Sequence, residues 1–102
     1  MALTNEEIRL AMQIALLGEI YSEIRAIAFQ YNLQKKRFMI KYYLSRKPTD
    51  VDYESISTVM TDFIANFKYT EFEELKEECD YCILPKDKID ALDGFVYFRK
   101  EE

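Results

Sequence analysis

The sequence predicts an α+β domain in the order αββαββ, with two helices packed on one face of a four-stranded, mainly antiparallel sheet. Three observations predict it. Two stretches repeat apolar residues at helical spacing, and four others are extended in character. Only two Gly and two Pro occur in 102 residues, too few for a turn-rich sandwich or for disorder. Apolar residues make up 49% of the chain, and seven Phe and eight Tyr supply the core bulk in the absence of Trp. A chain of this length forms one domain, residues 1–102.

The first helix begins at Thr4-Asn5-Glu6-Glu7, a capping box in which the Thr4 hydroxyl accepts from the Glu7 amide and the Glu7 side chain reaches back. Ile8, Ala11, Met12, Ala15 and Leu16 then recur on one face, widened by Leu10, Ile14 and Leu17, and Gly18 supplies a C′ residue. The helix is expected over 5–17, with Arg9, Gln13 and the Glu pair as its exposed residues.

Two strands are expected over 23–31 and 37–45, joined by the polar hairpin Asn32-Leu33-Gln34-Lys35-Lys36. In the second, Phe38, Ile40, Tyr42 and Leu44 oppose Met39, Lys41 and Tyr43, the alternation of a sheet with one buried face. In the first, Ile24, Ala26 and Ala28 form one apolar set and Ile27, Phe29 and Tyr31 another, and the pattern does not choose between them.

Pro48-Thr49-Asp50-Val51-Asp52 opens the second helix, with Thr49 at the N-cap, Asp52 at N3, and Asp50 and Glu54 favoured by the helix dipole. Ile56, Val59, Met60, Phe63, Ile64 and Phe67 form its apolar stripe. Beyond Tyr69-Thr70 an extended segment, about 72–84, sets Leu75, Cys79, Tyr81 and Ile83 opposite Glu74, Lys76, Glu78, Asp80 and Cys82. Pro85 ends it, the loop 86–94 turns on Asp93-Gly94, and 95–99 forms the last strand.

The charge is divided along the chain. Residues 1–47 carry eight Lys/Arg against four Asp/Glu, whereas residues 48–102 carry six against fifteen. An acidic surface of this kind steers a basic partner. The chain contains no His, so the commonest general base and the commonest metal ligand are both missing. Ser55, Ser57 and Thr58 lack a base, and there is no Gly-rich phosphate loop. The expectation is a binding protein without cofactor or metal, and not an enzyme.

Each remaining constellation has an ordinary reading. Cys79-Asp80-Tyr81-Cys82 lies within a strand, so its thiols point to opposite faces, one into the core and one to the surface. The spacing of Asp87, Asp90 and Asp93 is not that of a calcium loop, and fits either turn chemistry or an acidic edge. Lys35-Lys36-Arg37 with Phe38, Tyr42 and Tyr43 has the look of a nucleic-acid surface, but a net charge of −5 repels phosphate, so direct nucleic-acid binding is not expected. No stretch approaches the roughly 20 apolar residues that span a bilayer. The start Met1-Ala2-Leu3-Thr4-Asn5-Glu6-Glu7 lacks a secretory pattern, so a cytoplasmic location with reduced thiols is expected.

Five segments carry a family resemblance. They are Leu16-Leu17-Gly18-Glu19-Ile20, Phe38-Met39-Ile40-Lys41-Tyr42-Tyr43, Pro48 through Ile56, Val59 through Ala65, and Leu92 through Lys100. Together they run over nearly the whole chain and resemble small bacterial immunity proteins of contact-dependent growth inhibition and related polymorphic toxin systems. The resemblance implies a cytoplasmic, non-enzymatic inhibitor of one cognate toxin, commonly a nuclease acting on tRNA, whose active site or substrate channel it occludes. It carries over no contact residue. Charge and exposure suggest Asp50, Asp52, Tyr53 and Glu54 at the start of the second helix, with Asp87, Asp90 and Asp93 on the loop. The alternative is an adaptor that homodimerises through a sheet edge or the spare apolar face of the first strand.

Overall fold

The computed structural model describes residues 4–67 and 72–101. Its elements are α1 (Asn5–Ala15), β1 (Ile24–Asn32), β2 (Arg37–Leu44), α2 (Asp50–Ile64), β3 (Glu74–Tyr81), a 3-10 turn at Lys86–Lys88, and β4 (Gly94–Phe98), the expected αββαββ order. Met1 to Leu3 and the Tyr69-Thr70 boundary lie outside the described residues.

The strands form one sheet in the order β3-β2-β1-β4. β1 pairs antiparallel with β2 through the hairpin, and antiparallel with β4. β2 and β3 run parallel, from Arg37 opposite Glu74 to Leu44 opposite Tyr81. A parallel neighbour requires a crossover, and α2 provides it. Both helices lie on one face. Ile8, Met12 and Ala15 of α1 meet Ile56, Val59 and Phe63 of α2 over Ile27, Phe29, Phe38, Ile40 and Tyr42 of the central strands. Towards the hairpin end the core is aromatic, with the Phe38 and Phe63 rings stacked at 4.3 Å and Phe72 packed against both.

Both faces of β1 are covered, with only Tyr31 of the two apolar sets half-buried, and the irregularity between Ile24 and Ala26 moves Ile24 to the helix side. The chain from Cys82 to Leu92 folds back under the sheet, and Ala26, Ala28 and Tyr43 pack there against Cys82 and Ile89. The Tyr43 hydroxyl donates to the Asp90 carbonyl at 2.6 Å, tying loop to sheet. A central strand covered on both faces reads as continuous apolar sequence, which is why pattern alone could not choose. The spare face of β1 is therefore closed to a dimer partner.

Helix α1 departs from expectation on its outer side. Leu10, Ile14 and Leu17 are 60%, 51% and 76% exposed, because no described residue lies above the helix layer. Arg9, expected in solvent, instead donates to the Phe95 carbonyl at 2.7 Å with its guanidinium over the Phe29 ring. Gly94 makes this possible, since a Cβ there would overlap the guanidinium. The N-terminal box is half formed as expected, with Glu7 N–H donating to Thr4 Oγ1 at 3.1 Å, but the Glu7 carboxylate takes the Thr4 hydroxyl. Gly18 adopts φ +79°, beyond a helix that closes two residues early at Ala15.

β3 is an edge strand, so Leu75, Tyr81 and the following Ile83 stay exposed, and only Cys79 of that set packs against the core. The thiols do point to opposite faces. Cys82, expected at the surface, is buried because the returning loop covers it. Arg25 secures that return. Its guanidinium donates to the carbonyls of Cys82 and Leu84 at 2.8 and 2.7 Å, and its Nη2 to Glu101 Oε1 at 2.7 Å.

Candidate functional site

The N-terminus of α2 is fixed by a buried carboxylate. Asp52 has no exposed surface. It accepts from Arg46 through both guanidinium nitrogens, from the Tyr21 hydroxyl at 2.5 Å, and from the Thr49 N–H at 2.7 Å and hydroxyl at 3.2 Å. Burial opposes the charge, but the hydrogen bonds from Arg46, Tyr21 and Thr49 outweigh it and hold the carboxyl at about 2. Burial and the adjoining carboxylate raise the Tyr21 phenol well above its ordinary range. One turn on, the Ser55 hydroxyl lies 3.1 Å from the hydroxyl of Tyr42, whose pKa burial pushes to about 12. Asp52 thus has no face to offer a partner. The N3 position that makes it a good cap also turns it inward.

The same helical geometry turns Asp50, Tyr53 and Glu54 outward. They line an open groove between α2 and β3, joined by Ser57, Thr58, Thr61 and Asp62 of the helix and by Glu77 of the strand. Asp50, Glu54, Asp62 and Glu77 bring four carboxylates to this groove, and no Lys or Arg lines it among the described residues. Tyr53, 48% exposed, is its aromatic residue. Around the β3 side the surface continues through Glu78 and Asp80, with Lys41 3.9 Å from the Asp80 carboxylate. Asp62 and Glu77 escaped the sequence reading. Asp50, Glu54, Ser57, Thr58, Thr61 and Asp62 follow the polar side of the α2 stripe, a signal the sequence does carry. Glu77 required the parallel pairing of β3.

The loop acids lie elsewhere. The Cys82–Leu92 return packs beneath the sheet, on the face opposite α2, so Asp87, Asp90 and Asp93 do not join the groove. Asp90 Oδ1 accepts the Leu92 N–H at 2.9 Å, and Asp93 Oδ2 accepts the Tyr31 N–H at 2.7 Å, while Asp87 is exposed in the 3-10 turn. Two of the three therefore shape the turn.

Two further constellations resolve. Phe38, Tyr42 and Tyr43 are buried, so the basic hairpin has none of these rings free to stack on bases. Cys79 is half-buried and its thiol is pushed to about 12, by burial first and then by Asp52 and Glu77. Among the described residues no three His, Cys, Asp or Glu converge to hold a metal ion. None of the described helices is long and apolar enough to cross a membrane.

A family model described as MafI2 immunity protein matches residues 5–101. No curated protein matches the chain.

Proposed function

Since the chain belongs to the MafI2 immunity protein family, we propose that it neutralises one cognate toxin domain, an RNA-directed nuclease, by laying its α2–β3 groove over the toxin's basic substrate surface. An immunity protein works on a protein partner, and the groove supplies the chemistry that such a surface recognises. The single observation that carries this reading is the set of four carboxylates, Asp50, Glu54, Asp62 and Glu77, in a groove that no Lys or Arg lines among the described residues. Carboxylates so arranged mimic the phosphates of an RNA substrate and accelerate encounter with a cationic surface. Tyr53 provides an anchor of the kind that carries disproportionate binding energy. Asp87, Asp90 and Asp93, on the other face of the sheet, act outside the contact by long-range attraction that steers approach. The action is stoichiometric binding in the cytoplasm, with no catalysis by this chain, as part of a polymorphic toxin system of the contact-dependent kind.

Co-expression with a candidate toxin domain, sought in the genes next to its own, tests the reading. Stable co-purification with restored growth is expected. Free protein and no rescue would overturn it.

A second reading, self-association, draws on Leu10, Ile14, Leu17 and Ile20, whose exposed side chains run along and beyond the outer side of α1. Size-exclusion chromatography of the purified chain at low micromolar concentration separates the two. A monomer excludes the dimer, and a stable dimer favours it.

A further inference from the structure

The outer backbone edge of β3 is a pairing surface that no described residue uses. Glu74 N–H donates to the Lys36 carbonyl and Cys82 N–H to the Leu44 carbonyl, so the even-numbered residues of this strand turn their amides towards β2. Successive residues of a strand point their amide and carbonyl groups in opposite directions. The N–H and C=O groups of Leu75, Glu77, Cys79 and Tyr81 therefore face away from the sheet, and no described residue bonds to them. The register with β2 runs unbroken over eight residues, whereas both pairings of β1 contain a shift. A long, regular, uncapped edge is one that folded proteins ordinarily blunt.

We propose that β3 is the docking edge of the immunity function, and that an extended segment of the toxin rich in Lys and Arg adds to it as a fifth strand. The proposal rests on the reading of this chain as a toxin inhibitor. It specifies how the toxin is held. The main chain of the incoming segment would bond to Leu75, Glu77, Cys79 and Tyr81. Its alternate side chains would enter the groove beside Asp50, Glu54, Asp62 and Glu77 on one face, and meet Glu78 and Asp80 on the other. Charge decides the occupant. β3 itself carries Glu74, Glu77, Glu78 and Asp80 against the single Lys76, so a second copy would set like charges opposite one another. A basic segment meets the reverse situation.

The test uses the complex purified from co-expression with that candidate toxin domain, and amide hydrogen exchange read by NMR. In the free chain the amides of Leu75, Glu77, Cys79 and Tyr81 should exchange rapidly. In the complex they should slow by at least about tenfold. Leu75→Pro removes an outward N–H without touching the ladder to β2, a position at which an edge strand tolerates proline. It should weaken toxin binding by about tenfold or more, the value of a lost hydrogen bond near the top of its range, while Leu75→Ala changes it far less. If no complex forms, the toxin-inhibitor reading fails and this proposal with it. A complex in which these four amides keep their free exchange rates overturns edge docking alone. Protection that grows with concentration in the free chain identifies a second copy as the occupant and overturns the basic-segment assignment.

Discussion

Arg46 grips the Asp52 carboxylate through two hydrogen bonds of 2.5 and 3.2 Å, and this pairing turns an acid at a helix start into an anchor. Asp52 lies at the N3 position beneath Thr49 and beside Tyr21, so it holds the start of α2, the β2–α2 connection and the segment before β1 in one place. Asp52→Ala leaves these donors unsatisfied. It should cost about 2–4 kcal/mol of folding stability, read as a lower urea midpoint at unchanged slope. A loss of toxin affinity without loss of stability would contradict the anchoring role.

Two carboxyls tie stability to pH. Asp52 is held at about 2 against an ordinary 3.8 by its donors, which outweigh burial, and Glu101 at about 2 against 4.5 by Arg25 and then Arg99. Both titrate lower in the folded chain, so the unfolded chain binds more protons in acid. Their stabilisation is complete above the unfolded carboxylate range and disappears as pH falls towards 2. For Asp52 it amounts to about 2 kcal/mol at neutral pH. Urea midpoints should therefore fall from about pH 5 downwards, and Glu101→Gln should shallow that decline. A flat profile over this range would refute the assignment.

Gly94→Ala should displace Arg9 from the Phe95 carbonyl, because the new Cβ occupies the place of the guanidinium. A cost of about 1–3 kcal/mol is expected, the range of an overpacked contact. Combining it with Arg9→Ala should recover part of that loss, since the clash and the bond are removed together. Thermal unfolding of the two single variants and the double variant measures the coupling.

Neutralising the groove with Asp50→Asn, Glu54→Gln and Glu77→Gln should weaken toxin binding at least about tenfold and flatten its salt dependence. The matching set Asp87→Asn, Asp90→Asn and Asp93→Asn should slow association and leave dissociation nearly unchanged, as for charges outside the contact. Stopped-flow kinetics at two ionic strengths distinguishes these. Equal effects of the two sets on dissociation would remove the groove from the centre of the interface.

The thiols should be inert. Cys82 is buried, and Cys79 is held as the neutral thiol by its raised pKa of about 12. Iodoacetamide at neutral pH should label the native chain far more slowly than the urea-unfolded chain. Rapid native labelling at Cys79 would show that its environment is more open.

The sequence by itself determined the elements and their order. Thr4 and Thr49 mark the helix starts, and the stripe from Ile56 to Phe63 and the alternation from Phe38 to Leu44 determine which side chains meet in the core. These signals are local, carried by neighbours within a turn or a strand, and they survive in one dimension. What the tertiary structure alone decided is how non-local neighbours share each element. Asp52 and Glu54 look alike in sequence, yet Arg46 and Tyr21 draw one inward while the other faces Glu77 across a groove. Cys82, Leu10 and Arg9 differ from expectation for the same reason. Whether a face is covered depends on which distant segment crosses it, and side-chain periodicity does not encode that crossing. The edge of β3 that no described residue pairs is likewise a property of strand order, set when α2 carries the chain across the sheet and leaves β3 as the outermost described strand.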